Sequence, residues 1–415
     1  MRRWLRSLNP RLPRAVQLLQ LGGLANAFGN GAILPFVLIY LHNVRGLGLG
    51  TAGLVLATNA FVSIAAGPVG GTLVDRVGGK RILAAALVFL AVGYTGYVLV
   101  DSAWKAFAVA TVTGIGNGMF WPAQSTLITM LTPRERRHAA FAMQRVVMNL
   151  GIGLGALVGG LIATTSRPAT FDVLFFVNGA TFVVYLAVLL LFVPEPSTAE
   201  TRGATAGKSY LPVLRDRPFM GVVALNTVFI LAGMAGFELL PVYAKNEADV
   251  TEAMIGIVFF VNTVVIVLAQ LPVTKLTEGH RRMRTLAVLG VLWAGCWVLV
   301  PLAGTWVTGV AAAMLLAGIM AAFGVGECLH GSVQGPLVAD LAEPSLMGRY
   351  MALSALSWQA GFALGPAIGG FALDASPSGV WLGAAVLCLV GSAWALSLER
   401  SLPVTARSNP VPEAA

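Results

Sequence analysis

Long apolar stretches dominate this sequence and constrain its fold more than any other feature. One helix needs about 20 apolar residues to cross a bilayer, and the 415 residues contain twelve such stretches, which we interpret as membrane-spanning helices. Only 11% of the residues are charged, against roughly a quarter in soluble proteins, so a water-soluble core is excluded. The predicted spans are residues 15–41, 49–72, 80–100, 104–131, 139–165, 171–193, 219–243, 252–274, 284–302, 306–340, 348–374 and 379–398.

The longest polar segment separates the sixth span from the seventh. Residues 194–218 are rich in Pro, Ser, Thr, Gly and charge, a composition that is typical of a linker. The sequence therefore predicts an N-terminal six-helix bundle and a C-terminal six-helix bundle, joined by a cytoplasmic linker and flanked by cytoplasmic termini. The predicted boundaries are 1–14, 15–193, 194–218, 219–398 and 399–415.

The basic residues predict how the helices are oriented. With a cytoplasmic N-terminus, 22 of the 27 Lys and Arg residues fall in cytoplasmic segments, four fall outside, and Arg145 lies within a span. Short basic loops stay on the cytoplasmic side of a membrane, so both termini are predicted to be cytoplasmic. The net charge of +9 then reflects membrane orientation rather than nucleic-acid binding. The absence of any Asn-x-Ser/Thr site favours a bacterial plasma membrane.

An internal repeat relates the two halves of the chain. When the sequence is shifted by 210 residues, glycines and polar residues of spans four and five fall without a gap on those of spans ten and eleven. Gly116 and Gln124, for example, meet Gly326 and Gln334. We therefore predict an all-α polytopic membrane protein whose 12 transmembrane helices form two pseudo-symmetric six-helix bundles, with a site near the membrane midplane.

The connection between spans two and three contains the most specific motif of the chain. Its characteristic residues are Gly71, Asp75, Arg76, Gly78, Lys80 and Arg81. This segment resembles the G-x-L-x-D-R-x-G-[RK]-[RK] loop of the major facilitator superfamily, with Gly79 as a departure where that family usually has a base. The resemblance implies the major facilitator fold, alternating access, and a gating loop that latches the outward-facing state. Asp75 would accept hydrogen bonds at a helix N-terminus, where the dipole favours an anion.

The fifth span carries glycines four residues apart, at Gly151, Gly155 and Gly159. Glycines at this spacing lie on one helix face and allow a neighbouring backbone to approach closely. The pattern resembles the glycine-rich fifth helix of the antiporter branch of the same family, although Ala156 stands where that branch has a proline. Pro366 keeps the proline in the second half. The resemblance to drug–proton antiporters is the basis on which export is predicted.

Acidic residues inside the spans predict proton coupling. Glu327 lies near the middle of span ten, on one helix face with His330 and Gln334. Desolvation penalises the charged form of a carboxyl group, so an intramembrane acid can bind and release a proton. We assign Glu327, Glu238 and His330 to proton coupling, with a helix-packing contact as the alternative for His330.

Polar residues in other spans predict a substrate cavity. Such groups either bond between helices or face the cavity. Arg145 lies deep enough that it must either extend to the cytoplasm or face the cavity and pair with an acid or an anionic ligand. The predicted cavity residues are Asn26, Asn30, Asn117, Trp121, Gln124, Arg145, Asn149, Asn262 and Gln334.

Together these features predict a proton-coupled secondary transporter that exports amphipathic small molecules or drugs. The alternative is uptake or export of a specific, anionic metabolite with Arg145 as the counter-charge. Four scattered histidines argue against a membrane enzyme, and no predicted loop is long enough for a receptor domain. We expect a monomer without metal or other cofactor, whose partners are a small-molecule substrate, protons and the lipid bilayer, and not nucleic acid.

Overall fold

Twelve helical spans make up the part of the protein that the computed structural model describes, which is residues 12–133, 136–195, 210–234, 236–343 and 346–409. The spans of the N-terminal half are α1 (Arg14–Ile33), α2 (Leu49–Val77), α3 (Gly79–Gly96), α4 (Ala103–Leu131), α5 (Arg137–Ile162) and α6 (Ala169–Phe192). Those of the C-terminal half are α7 (Arg217–Phe229, resuming over Gly236–Glu247), α8 (Glu252–Leu276), α9 (Arg282–Leu299), α10 (Gly309–Leu341), α11 (Met347–Ala375) and α12 (Gly379–Leu398).

Ten of the spans within the described ranges are both long and apolar enough to cross a membrane. The other two, α4 and α11, have 29 residues each. Such a helix is about 43 Å long at 1.5 Å per residue, which exceeds the roughly 30 Å hydrocarbon core of a bilayer. Polar side chains such as Asn117 and Gln124 in α4, and Gln359 in α11, lower the hydropathy of these two helices. The polytopic all-α fold agrees with the sequence prediction.

The first and seventh spans depart from regular α-helix. After α1, the chain passes through a 3₁₀ turn at Leu34–Phe36 and a π-helical turn at Tyr40–Val44. The seventh span contains a π-helical turn at Ile230–Met234 between its two α-helical parts. Such turns are often found at functional positions, because they rotate the side chains that follow. The hydrophobic pattern of the sequence did not predict these breaks.

The chain forms two compact units. The first unit contains Met1–Leu34 and Phe61–Ala206, and the second contains Pro35–Ala60 and Gly207–Ala415. Helix α2 therefore contributes its first part to the second unit and the rest to the first unit. The bundle boundaries that the sequence predicts stay a prediction, and most of the predicted linker, residues 196–209, lies outside the described residues.

In the first unit, the glycine face of α5 packs against α1. A Cβ atom at Gly155 would lie 2.1 Å from the carbonyl oxygen of Phe28, and one at Gly159 would lie 2.2 Å from that of Ala32. These distances are far below van der Waals contact, so only glycine permits this backbone approach. The face serves helix packing, as its spacing predicts.

The internal repeat is visible in how each unit packs. In the first unit, a Cβ atom at Gly151 would lie 2.6 Å from the Cβ of Ala27. In the second unit, a Cβ atom at Gly361, 210 residues later, would lie 2.4 Å from Ile230, which follows Ala27 by 203 residues. Each unit therefore brings corresponding helices together at corresponding glycines.

Candidate functional site

A cleft of about 60 Å³ opens within the first unit among α1, α3, α4, α5 and α6. Five predicted cavity residues line it, namely Asn26, Asn30, Asn117, Trp121 and Gln124. Gln20, Gln144, Met148, Phe120 and Phe182 also contribute to its wall. All the lining side chains are uncharged, so the cleft offers amide groups and aromatic surfaces to a ligand.

Hydrogen bonds connect the amides of α4 and α5 to α6. Gln144 donates from Nε2 to Oε1 of Gln124 over 2.6 Å, and Gln124 donates from its own Nε2 to the Tyr185 hydroxyl over 2.9 Å. All three side chains are buried. This chain of bonds fixes the orientation of the Gln124 amide, because each of its two ends has a defined partner.

A second amide cluster lies on α1. Asn178 of α6 donates to Asn30, and Asn30 donates to Asn26, both over 3.4 Å. Asn26 is 6% exposed, and its buried Nδ2 atom has no hydrogen-bond partner among the described residues. A buried donor without a partner is costly. Asn26 is therefore a candidate donor to a ligand carbonyl or hydroxyl group.

Sequence reasoning missed four polar residues in or beside these clusters: Gln20, which lines the cleft, and Gln144, Asn178 and Tyr185. Gln20 lines the cleft with Asn26 and Asn30, but it is six and ten residues from them, so helical spacing did not group it with them. Gln144 directly precedes Arg145, and the charged residue rather than Gln144 was assigned to the cavity from the sequence. Asn178 and Tyr185 lie seven residues apart in a strongly apolar span, where they and Thr181 gave a weak polar signal on one face.

Arg145 and Asn149 are not among the residues that line the cleft. The Arg145 side chain is exposed, Asn149 is half-buried, and Arg145 has no hydrogen bond or ion pair with another described residue. Because α5 turns by about 100° per residue, Gln144 can face the cleft while Arg145 points elsewhere. The assignment of Arg145 and Asn149 to a substrate cavity stays a prediction.

In the second unit, Glu327 of α10 pairs with Asn262 of α8. Nδ2 of Asn262 donates to Oε2 of Glu327 over 2.8 Å and also lies 3.1 Å from the carbonyl oxygen of Met320. Asn262 is only 2% exposed, whereas Glu327 is half-buried. The carboxyl group is therefore held in position by a neutral donor rather than by a basic residue.

His330, one turn after Glu327, bonds in another direction. Its Nε2 lies 2.7 Å from Oδ1 of Asn226, and Nδ2 of Asn226 donates to the Ser357 hydroxyl over 2.7 Å. Because the Asn226 amide uses its nitrogen for Ser357, the His330 Nε2–H is assigned as the donor to Oδ1. The imidazole packs between Trp293 and Trp358. This arrangement links α7, α10 and α11, and the described residues contain no hydrogen bond between His330 and Glu327.

The remaining predicted groups of the second unit are Glu238 and Gln334. Oε2 of Glu238 and Nε2 of Gln334 are both buried and have no hydrogen-bond partner among the described residues. Next to Glu238, the Phe237 ring packs on Phe259 and Phe323, with centroids 4.9 and 5.7 Å apart. An acid in the membrane interior without a basic partner is a candidate proton-binding group.

The predicted gating loop joins α2 to α3 in the first unit. Gly78 has φ = +105°, a conformation that favours glycine, and it allows the sharp turn between the two helices. Lys80 donates to the carbonyl oxygen of Leu190 over 3.2 Å, and Arg81 lies 3.7 Å from Glu195. These two bases thus bind the end of α6 and the residues that follow it.

Other residues of the loop differ in their surroundings. Arg76 is exposed, and a Cβ atom at Gly71 would meet no atom within 4 Å. The side chain of Asp75 lies outside the described part of the structure. A Cβ atom at Gly79 would lie 3.3 Å from Leu127, so a larger residue at this departure from the family motif would crowd α4.

The described residues contain no group of three or more His, Cys, Asp or Glu side chains that could hold a metal ion. The three cysteines are buried and free. Each unit offers its own polar groups, which are amides in the first and carboxyl, imidazole and amide groups in the second.

Comparison with known proteins identifies related sequences and folds. Residues 19–326 and 239–415 match the Major Facilitator Superfamily. A Na⁺, Li⁺, K⁺/H⁺ antiporter of Planococcus maritimus is 27% identical over 80% of this chain and 84% of its own length. The multidrug resistance protein MdtH of Photorhabdus laumondii is 24% identical over 83% of each chain. The solved structure of a peptide transporter in complex with alafosfalin covers 97% of this chain and 98% of its own, with a TM-score of 0.76 at 16% identity.

Proposed function

The chain belongs to the Major Facilitator Superfamily of membrane transporters, and we propose that it exports amphipathic small molecules in exchange for protons by alternating access. The name of one relative includes H⁺ antiport, and that of another includes multidrug resistance. The first name supports the proposal that transport here is coupled to protons, and the second supports drug-like substrates.

The observation that carries the proposal is the pairing of Glu327 with Asn262. Asn262 donates to one carboxyl oxygen, Oε2, over 2.8 Å, and the described residues supply no basic partner for the other oxygen. The carboxyl group is then free to exchange a proton without breaking an ion pair, which proton coupling requires. Glu238, whose Oε2 atom has no partner, is the second proton-binding group of the proposal.

The cleft of the first unit is the proposed substrate site. Its amides would orient a polar group of the ligand, whereas Phe120, Trp121 and Phe182 would pack on an apolar part. Trp121 is 40% exposed and its ring lies perpendicular to that of Phe120, so part of the indole is accessible for contact with a ligand. These features suit an amphipathic compound better than a sugar.

The test is transport by the purified protein in liposomes that enclose a pH-sensitive dye. A pH gradient is imposed, and a panel of cationic, neutral and anionic amphipathic compounds is added, together with Na⁺ and K⁺. We expect that adding an amphipathic compound makes protons cross the membrane down the imposed gradient, which the dye reports as a change in internal pH. For Glu327→Gln we expect the proton flux to be lost, while binding of the same compound is retained.

Glu247→Gln is the matched control, since it removes an exposed carboxyl group at the end of α7. It should transport like the unmodified protein. Substrate movement without any proton movement would refute the coupling, and normal flux in Glu327→Gln would refute the role of this residue.

An anionic metabolite is the alternative substrate, favoured by the absence of an ionic partner for Arg145 among the described residues. Arg145→Ala and Glu327→Gln distinguish the two proposals in binding measurements. If only Arg145→Ala weakens substrate binding, and the ligand is an anion, the alternative replaces the drug-export proposal.

We further propose that both termini face the cytoplasm of a bacterial cell, because the cytoplasmic segments would then hold 22 of the 27 basic residues. Labelling of single cysteines introduced near the C-terminus with an impermeant reagent tests this. Labelling of intact cells at that end would refute the proposed orientation.

A further inference from the structure

The residues that follow α12 fold back onto the connection between α8 and α9. The backbone nitrogen of Arg282 donates to the carbonyl oxygen of Arg407 over 2.8 Å, and that of Asn409 donates to His280 over 3.0 Å. Arg281 and Ser408 form an antiparallel bridge. The tail, which we define as residues 399–409, is therefore paired with the rest of the second unit.

Arg282 fixes this arrangement from the inside. Its side chain is fully buried, donates to the Asn409 side chain over 2.9 Å and to the carbonyl oxygen of Ala406 over 3.2 Å, and forms an ion pair with Asp340 of α10. A buried charge is tolerated only when it is paired and hydrogen-bonded in this way. The tail thus has a defined position against α9 and α10.

The folded tail brings together arginines that are far apart in the sequence. A cavity of about 300 Å³, which we call the arginine pocket, is lined by Arg281, Arg284, Leu396, Glu399, Arg400 and Arg407. Glu399 is the one acid of this lining and forms ion pairs with Arg281 and, at 3.9 Å, with Arg284. Three positive charges remain in excess, which would attract an anion.

The arginine pocket continues into two apolar helix faces. Arg284 shares one face of α9 with Val288 and Val291, which are 60% and 56% exposed. Leu389 and Leu396, seven residues apart on α12, are 48% and 50% exposed. The two helices contact each other, since the Ser392 hydroxyl donates to the carbonyl oxygen of Ala287 over 3.0 Å. Apolar surface therefore lies directly beside the basic pocket.

We propose that the arginine pocket binds the phosphate of an anionic membrane lipid, with the acyl chains along the exposed faces of α9 and α12. Planar guanidinium groups bind phosphate oxygens in pairs, and basic pockets at the ends of membrane helices bind lipid headgroups. The adjoining apolar faces favour a lipid over a free phosphate ion. The site is separate from the proposed transport groups and does not depend on what the protein transports.

The test is the thermal unfolding midpoint of the purified, full-length protein in detergent, titrated with short-chain phosphatidylglycerol. We expect a saturable increase that phosphatidylcholine of the same chain length does not produce, and that salt weakens. In the double variant Arg284→Gln/Arg400→Gln, half-saturation should need about 30-fold more phosphatidylglycerol. Both arginines are exposed, so we expect the variant to remain folded.

Arg215→Gln/Lys275→Gln is the matched control, because it removes two exposed positive charges outside the arginine pocket. The phosphatidylglycerol concentration at which this control variant is half-saturated should stay within a factor of two of that of the unmodified protein. The proposal would be overturned if both double variants lost the same affinity for phosphatidylglycerol. It would also be overturned if phosphatidylcholine raised the unfolding midpoint of the unmodified protein equally, or if salt did not weaken the increase. So would a full response to inorganic phosphate or glycerol phosphate with no further gain from the lipid. Loss of transport without loss of this response would refute the proposed function alone.

Discussion

Helix α4 of the first unit and helix α10 of the second carry polar side chains at corresponding positions, but these side chains have different surroundings. In the first unit, Asn117 and Gln124 line an open cleft. In the second unit, the corresponding Glu327 contacts Asn262, and Gln334 is buried. One repeated framework thus places neutral amide groups along a cleft in one unit and a carboxyl group paired with an asparagine in the other.

One corresponding position differs in side-chain volume between the two units. A Cβ atom at Gly116 would meet Leu90 at 2.7 Å, and one at Gly326 would meet Trp293 at 2.2 Å. Leu90 lines the cleft of the first unit, whereas Trp293 is fully buried and stacks on Phe323 with ring centroids 4.6 Å apart. The two units therefore carry side chains of different volume at this corresponding position.

The largest expected effect comes from replacing Trp293 of the second unit by leucine, the residue type at the corresponding position 90 of the first unit. Trp293→Leu removes the ring that stacks on Phe323 and leaves a cavity, so we expect a loss of about 2–4 kcal/mol in the free energy of unfolding. Denaturant unfolding of the purified protein measures it. Trp306→Leu, at a tryptophan that is 84% exposed, should change stability by less than about 0.5 kcal/mol. Equal losses in both variants would show that Trp293 does not fill the interior.

Corresponding glycines of α5 and α11 give a smaller contrast. A Cβ atom at Gly159 would lie 2.2 Å from a backbone oxygen of Ala32, whereas one at Gly369 would lie 2.3 Å from the end of the Leu239 side chain. We expect Gly159→Ala to destabilise by about 1–3 kcal/mol because a helix must shift. Gly369→Ala should be near neutral, since Leu239 can rotate and alanine favours the helix by about 1 kcal/mol. Thermal unfolding that shifts equally in both variants would contradict this contrast.

The two corresponding glutamines should respond differently to leucine. Gln124→Leu leaves the Tyr185 hydroxyl and the Gln144 amide without a partner, so we expect a loss of about 1–2 kcal/mol in unfolding free energy. Gln334→Leu removes a buried nitrogen that has no partner among the described residues and should be neutral or stabilising. Parallel denaturant titrations of the two variants measure the difference. A larger loss in Gln334→Leu would indicate that its amide has a partner, such as a bound water.

The smallest expected effect concerns the contacts that stabilise a connection between two helices in each unit. In the first unit, Lys80 donates to the end of α6, whereas in the second unit the tail covers the α8–α9 connection. Lys80→Met should cost about 0.3–1 kcal/mol, because a cation at a helix C-terminus is lost. Lys80→Arg should retain the stability. Thermal unfolding in low salt measures both, and an unchanged midpoint in Lys80→Met would show that this contact contributes nothing.

Much of the fold was readable from the sequence, because the membrane imposes a simple rule. A backbone within a bilayer must satisfy its own hydrogen bonds, so each long apolar stretch becomes a helix. Glycine spacing predicted the packing face of α5. Polar residues within apolar spans predicted Asn26, Asn30 and Gln124 as cavity residues, and these three line the cleft. Gln144 was missed because it is next to a charged residue, and a charge inside a span is the stronger signal.

What the sequence by itself determined was the helical, membrane-spanning architecture, the internal repeat and the family, because apolar length and motif spacing are local properties of the chain. Only the tertiary structure decided that Asn262 pairs with Glu327, that Trp293 stacks on Phe323, and that the tail surrounds Arg282. These contacts join residues that are 65 to 127 positions apart or depend on how side-chain volumes fit together. Local periodicity does not encode such contacts, since they arise only when helices are packed against one another.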